Sequence, residues 1–188
     1  ALAAGLVLGA PVMPLLLPDA DEDVESLEAV LPGEAPAAYV QRVTGLKLDA
    51  AVQRRVRRGL PDAPILCADT TVTMGATLYG KPVDAADARR MLAELSGRTH
   101  RVLTAVALQA GAQRWAVLSV SHVTFAELSP AHIAAYVDSG EPLGKAGSYG
   151  IQGRAAALIP HLSGSYSGIM GLPMFETAQM LHTAGIAF

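Results

Sequence analysis

The sequence predicts a chain of the α/β or α+β class, on three observations. Hydrophobic residues make up 51% of the 188 residues and charged residues 16%, enough apolar material for a packed core. Helix-like and strand-like patterns alternate along the whole length instead of segregating into halves. Gly- and Pro-rich punctuation separates them, with no repeat and no low-complexity linker.

The elements follow in order. Residues 1–17 carry no charge. Pro11 and Pro14 would break a membrane span, which needs ~20 apolar residues, and a secretory signal would open on basic residues. The segment therefore reads as a short helix end, a turn over 9–11 and a buried strand over 12–17. Residues 18–36 are acidic and Pro-punctuated, a loop with one helical turn. Residues 37–58 read as a helix with Val40, Val43, Leu46 and Val52 on its apolar face, ending in a solvated arginine run closed by Gly59. Residues 64–72 form an apolar strand ending in Asp69 and Thr70. Residues 84–95 form an amphipathic helix capped by Asp84. Runs 100–109 and 114–125, around Gly111, read as a hairpin. Ser129 caps a helix that Gly140 closes. A Gly-rich loop (144–153), a short strand (155–160), a second Gly-rich loop (164–173) and a last helix (174–184) complete the chain.

Charge and composition exclude several functions. The formal net charge is -3, from 14 Lys+Arg against 17 Asp+Glu, which argues against a broad nucleic-acid-binding face. A small anion needs only a few cations in one place. Cys67 is the one cysteine, so no intrachain disulfide and no Cys-based zinc site can form; it reads as a small buried hydrophobe in a reducing cytoplasm. The five histidines lack an i, i+4 pair and read as structural or surface residues. No P-loop, no G-x-G-x-x-G after a strand and no G-x-S-x-G elbow occurs.

The lysine count is more informative. Against 11 arginines stand three lysines, Lys47, Lys81 and Lys145, two of them in glycine-flanked turns. A rotatable ammonium suits phosphate oxygens, and glycine lets backbone N–H groups approach them. Composition alone leaves phosphate binding and chance equally open. Asp69, at the end of an apolar strand, reads either as a turn residue or as a rigidly held carboxylate able to bind Mg²⁺ or Mn²⁺ or to take a proton from water. The acidic cluster that includes Asp19, Glu22 and Asp23 reads as a solvated loop or as a second metal-binding carboxylate.

These residues lie within a larger pattern. A-D-T (68–70), G-K-P (80–82), M-L-A-E-L-S-G-R-T-H-R-V-L-T (91–104), Y-V-D-S-G-E-P (136–142), K-A-G-S-Y-G-I-Q-G (145–153) and G-S-Y-S-G-I-M-G-L-P (164–173) resemble the Maf family of nucleoside triphosphate pyrophosphatases, also described as septum formation inhibitors. The resemblance runs from about residue 9 to the end. It implies an elongated mixed sheet flanked by helices, two lobes around a central cleft, and a cytoplasmic homodimer acting on a nucleotide, with no nucleic-acid polymer and no membrane as partner. It implies hydrolysis of a triphosphate to the monophosphate and pyrophosphate with Mg²⁺ or Mn²⁺. Residue by residue, Asp69, Lys81 and Lys47 match catalytic positions. Asp69 and Glu22 match the metal-binding acids. Lys145, Gln152, Glu141 and Thr70 match substrate-binding positions, with Glu141 and Gln152 placed near the base. G-I-Q-G resembles the branch acting on dTTP and UTP rather than on 7-methyl-GTP.

Three departures shape a second expectation. The family opens with a strand and S-x-S-P-R-R, whose arginines grip the triphosphate. This sequence begins at Ala1, about where that motif ends, so residues 1–188 read as a single domain lacking it. Gly144 stands where the family usually has Asp, and V-T-G-L (43–46) before Lys47 replaces the usual L-A-R-E pattern. On that reading the chain is a nucleotide-binding or division-associated protein impaired in turnover.

Overall fold

A computed structural model describes residues 15–20, 22–24 and 26–187. The turn expected over 9–11 and the first half of the strand expected over 12–17 lie outside them. Residues 15–17 are irregular, and Leu15 and Leu17 are 49% and 59% exposed, so no buried strand forms there. The carbonyls of Leu16 and Leu17 instead accept from the guanidiniums of Arg54 and Arg58, both at 2.9 Å, rather than from a neighbouring strand.

After a 3₁₀ turn at Ser26–Glu28 come α1 (Pro36–Arg57), β1 (Ile65–Met74), β2 (Thr77–Tyr79), α2 (Ala85–Leu95), β3 (Thr99–Ala110), β4 (Gln113–Thr124), α3 (Pro130–Asp138), β5 (His161–Ser163), the single turn α4 (Tyr166–Ile169) and α5 (Met174–Thr183). The five strands form one antiparallel sheet in the order β2-β1-β3-β4-β5 with helices flanking it, within the expected class. β2 pairs back on β1 with Met74 opposite Thr77, across a turn in which Gly75 takes φ 63°, a conformation that costs glycine little.

Helices α2 and α3 start where their capping residues predict. Asp84 accepts from the Asp87 amide at 2.8 Å, and Ser129 from the His132 amide at 3.2 Å. Ala88, Met91, Leu92 and Leu95 bury one stripe of α2. On α1 the stripe is rotated from the expected one. Val40 and Val43 are buried, but Leu46 and Val52 are only half-buried, and burial continues through Leu48, Ala51 and Arg54. A period of 3.6 starting at Val40 and Val43 passes through 47, 51 and 54. Lys47 is thereby turned inward. Arg54 is 4% exposed, so the arginine run is not simply a solvated end.

Two further segments differ from expectation. Residues 154–158 form a 3₁₀ turn, Arg154–Leu158, and the strand is the later β5, pairing Leu162 with Val123 of β4. Three consecutive alanines favour the helical turn, and Pro160 has no N–H for a ladder. The loop over 164–173 contains α4, whose first turn is closed by Ser165 Oγ accepting from the Gly168 amide at 3.0 Å.

The chain divides into two compact units. The first comprises Ala1–Asp69, Ala105–Leu118 and Leu172–Phe188, and packs Val106 and Leu108 of β3 against Leu172, Met180 and Leu181. The second comprises Thr70–Thr104 and Ser119–Gly171, and packs α2 against Val72, Val102, Phe125 and Tyr149. Among the described residues no helix is long and apolar enough to cross a membrane.

Candidate active site

In the first unit, β1 carries Asp69 and α1 carries Lys47, both with side chains 12% exposed. Lys47 Nζ donates to Asp69 Oδ1 at 2.6 Å and to Glu28 Oε1 at 2.7 Å. One ammonium therefore lies between two carboxylates. Burial pushes the Asp69 carboxyl above the usual carboxylate range, by more than the Lys47 charge lowers it. Burial also draws the Lys47 ammonium down, but the Asp69 charge and the bonds to Asp69 and Glu28 outweigh it and leave it above its ordinary value.

Glu28 is brought to this place by α1 itself. Tyr39 donates its hydroxyl to the Glu28 carbonyl at 3.0 Å. Arg42 donates to the Ala29 carbonyl at 2.8 Å and grips both carboxylate oxygens of Glu34, at 2.6 and 2.7 Å. The acidic loop is thus laced along the helix, and its 3₁₀ turn delivers Glu28 to Lys47.

Glu22, expected beside Asp69, is committed elsewhere. Arg54 Nε donates to both of its oxygens, at 3.0 and 3.1 Å, and Arg54 and Arg57 add terminal-nitrogen contacts. These guanidiniums hold its carboxyl below the usual range; the Arg54 bond is the largest contribution lowering it. Asp19 is likewise held by Arg57 and Arg58.

The second unit gathers most of the other expected residues. Gly80, preceding Lys81, accepts at its carbonyl from the Gly147 amide at 3.0 Å, tying the G-K-P turn to the K-A-G loop. A Cβ on Gly147 would stand 2.9 Å from the Val72 methyls, so this close approach requires glycine. Lys145 Nζ donates to the Glu141 carbonyl at 2.5 Å. The lysine stem passes over Gly150, and Gln152 Oε1 borders the same glycine. The Glu141 carboxylate turns into its own loop, where it meets Tyr136 and the Arg154 amide.

Thr70 belongs to a hydroxyl relay. Thr104 Oγ1 donates its single proton to the Gly168 carbonyl at 2.7 Å. Thr70 Oγ1 lies 2.9 Å from Thr104 Oγ1 and must therefore be the donor of that pair. As the donor of that pair, the Thr70 oxygen retains acceptor capacity.

Residues 6–184 match the family model described as Maf-like protein. The chain belongs to the Maf family. Similar proteins include a dTTP/UTP pyrophosphatase of Albidiferax ferrireducens, 70% identical over 171 residues that cover 91% of this chain and 86% of the relative. A dTTP/UTP pyrophosphatase of Cupriavidus metallidurans is 64% identical over 174 residues, covering 93% and 87%. One of a Polaromonas species is 62% identical over 171 residues, covering 91% and 85%.

Nucleotide pyrophosphatases of the Maf family generally use a divalent metal. Among the described residues no group of three or more His, Cys, Asp or Glu side chains gathers as a metal cage. Mg²⁺ needs no such cage, because it takes one or two carboxylates and completes its shell with water and phosphate. Asp69 and Glu28 meet that requirement: both are hard oxygen donors, and the ammonium between them marks a place where positive charge is held. Glu28 is the carboxylate beside Lys47 that sequence reasoning did not single out. The signal that could have found it is the phase of α1. A lysine on its buried stripe needs counter-charges, and Asp69 alone leaves two of its three N–H groups unaccounted for.

Proposed function

We propose that this Maf protein hydrolyses dTTP and UTP to the monophosphate and pyrophosphate, drawing on the cytoplasmic nucleotide pool. The observation that carries the reading is the single Lys47 ammonium joined to Asp69 and Glu28. The names of the similar proteins support the same substrates.

Asp69 is the general base. Water attacks the α-phosphorus, a P–O bond forms, the bond to the β-phosphate oxygen breaks, and pyrophosphate leaves; the water proton passes to the Asp69 carboxylate. A base is most effective with a pKa nearer the working pH, and burial raises that of Asp69 in this direction. Lys47 holds the carboxylate in place. Asp69 and Glu28 supply the oxygens that would hold Mg²⁺ or Mn²⁺, which when bound neutralises phosphate oxygens. Lys81 and Lys145 stabilise the spreading phosphate charge. The Thr70 lone pairs suit the imide N–H that uracil and thymine share, where cytosine carries an acceptor.

The test is to incubate the protein and Mn²⁺ with dTTP, UTP, CTP and 7-methyl-GTP and to assay pyrophosphate. Release from dTTP and UTP at least tenfold faster than from the other two is expected. Orthophosphate as the product, or no turnover of UTP, would refute the proposal.

The assignment of the second acid is separately testable. Glu28→Gln is expected to lower kcat at least tenfold. Glu22→Gln is expected to keep kcat within about twofold and to lower the melting temperature, because only its arginine clamp is lost. The reverse pattern would return the metal-binding role to Glu22.

A further inference from the structure

The carboxylate of Glu141 is surrounded by its own loop. Oε1 accepts from the Tyr136 hydroxyl at 2.8 Å and, more weakly, from the Ala155 amide at 3.5 Å; Oε2 accepts from the Arg154 amide at 2.9 Å. Arg154 and Ala155 open the 3₁₀ turn Arg154–Leu158, and the preceding Gly153 has no side chain to cap it. Orphan N–H groups at the start of such a turn need an acceptor, and Glu141 provides it from thirteen residues away.

The other end of the loop leads to the same group. The Gly150 amide donates to the Tyr136 hydroxyl at 3.3 Å, and that hydroxyl donates onward to Glu141. Gly153 closes the turn by donating to the Gly150 carbonyl at 3.0 Å. A Cβ on Gly153 would stand 2.3 Å from Glu141 Oε1 and 2.7 Å from Oε2, so the carboxylate occupies the space that any side chain there would need. Lys145 reaches the backbone carbonyl of Glu141, not its carboxylate. Between the two pinned ends, Ile151 is buried and Gln152 is exposed.

We propose that Glu141 is a positioning residue: it latches both ends of the 150–155 loop and so presents the Gln152 amide to the nucleobase. This differs from direct contact of Glu141 with the base, because both of its oxygens are turned to Tyr136, Arg154 and Ala155 of its own neighbourhood. It rests on the pyrimidine-nucleotide reading given above. Holding an amide in one orientation favours a base that offers a matching donor and acceptor, so the latch acts on discrimination between uracil and cytosine.

The experiment uses the full chain as wild type, Glu141→Gln, Gly153→Ala, Gln152→Ala and the double variant Glu141→Gln with Gln152→Ala. UTP and CTP affinities are measured by calorimetry, and backbone amide exchange at Arg154 and Ala155 is measured without nucleotide. Glu141→Gln and Gly153→Ala are each expected to speed that exchange and to cut the UTP/CTP affinity ratio about tenfold. Gln152→Ala should cut it as much, and the double variant no further, an outcome that a general loss of stability would not give. An unchanged ratio in Glu141→Gln, an additive double variant, or no effect of Gln152→Ala would overturn the proposal. Failure of the pyrimidine-nucleotide reading appears separately, as absence of pyrophosphate release from UTP by the wild type.

Discussion

Replacing Asp69 by Asn is expected to lower kcat about 10²–10⁴-fold, the range attributed to a positioned general base, with the fold retained. The substitution keeps the shape and removes the proton acceptor. Lys47 keeps a carboxylate partner in Glu28, so its ammonium is not left alone in a half-buried place. The check is pyrophosphate release from UTP beside a thermal melt. Turnover within tenfold of wild type would remove Asp69 from the proton-transfer step.

The same pair fixes a pH signature. Asp69 works ionised, so the rate rises as pH rises through its pKa. Burial raises that pKa and the Lys47 charge opposes the rise. Lys47→Met removes the opposing charge and leaves burial and the Glu28 charge, both of which favour the protonated acid. The acid limb of the kcat/KM profile is expected to move to higher pH in Lys47→Met. A limb that stays in place would separate Lys47 from the base.

Much of this arrangement is legible in the amino-acid sequence. Asp84 and Ser129 mark helix starts through their side-chain oxygens, and Gly111 marks the β3–β4 turn, because capping and turn chemistry are local. The three lysines stand out because the chain otherwise uses arginine. What is not legible depends on helix phase and on distant partners. Choosing Leu46 and Val52 instead of Leu48 and Ala51 turns the α1 stripe, which hides both the inward Lys47 and the buried Arg54. Glu22 and Glu28 lie in the same acidic loop, and only the packing of Tyr39 and Arg42 decides which one reaches Lys47. The resemblance places Glu141 near the base; the hydrogen bonds it makes to the Arg154 and Ala155 amides lie across a loop whose path no periodicity reports.

The second unit should lose stability on mild acidification, through His100. This side chain is 2% exposed, with its ring stacked at 5.6 Å on Phe125 and edge-on at 5.4 Å to Tyr149. Nε2 lies 2.7 Å from the Tyr149 hydroxyl, whereas Nδ1 is buried with no partner among the described residues. An imidazolium would need acceptors at both nitrogens, and burial accordingly pulls the pKa down from 6.5 to about 4. The unfolded chain then binds the proton that the folded chain refuses. The stability this contributes is complete above pH 6.5 and is lost as the pH falls toward 4. At about 1.4 kcal/mol per pH unit, the interval from 6.5 to about 4 amounts to about 3 kcal/mol. Glu22 and Asp19 do not confuse the window, because arginines hold both carboxyls below their ordinary 4.5 and 3.8, so their contribution falls away only at lower pH. Denaturant unfolding measured from pH 7.5 to 4.5 should therefore decline in wild type. His100→Gln keeps a polar group for Tyr149 and cannot titrate, so its stability should start lower and lack this decline over the same range. An equal decline in the variant would place the acid-sensitive group elsewhere.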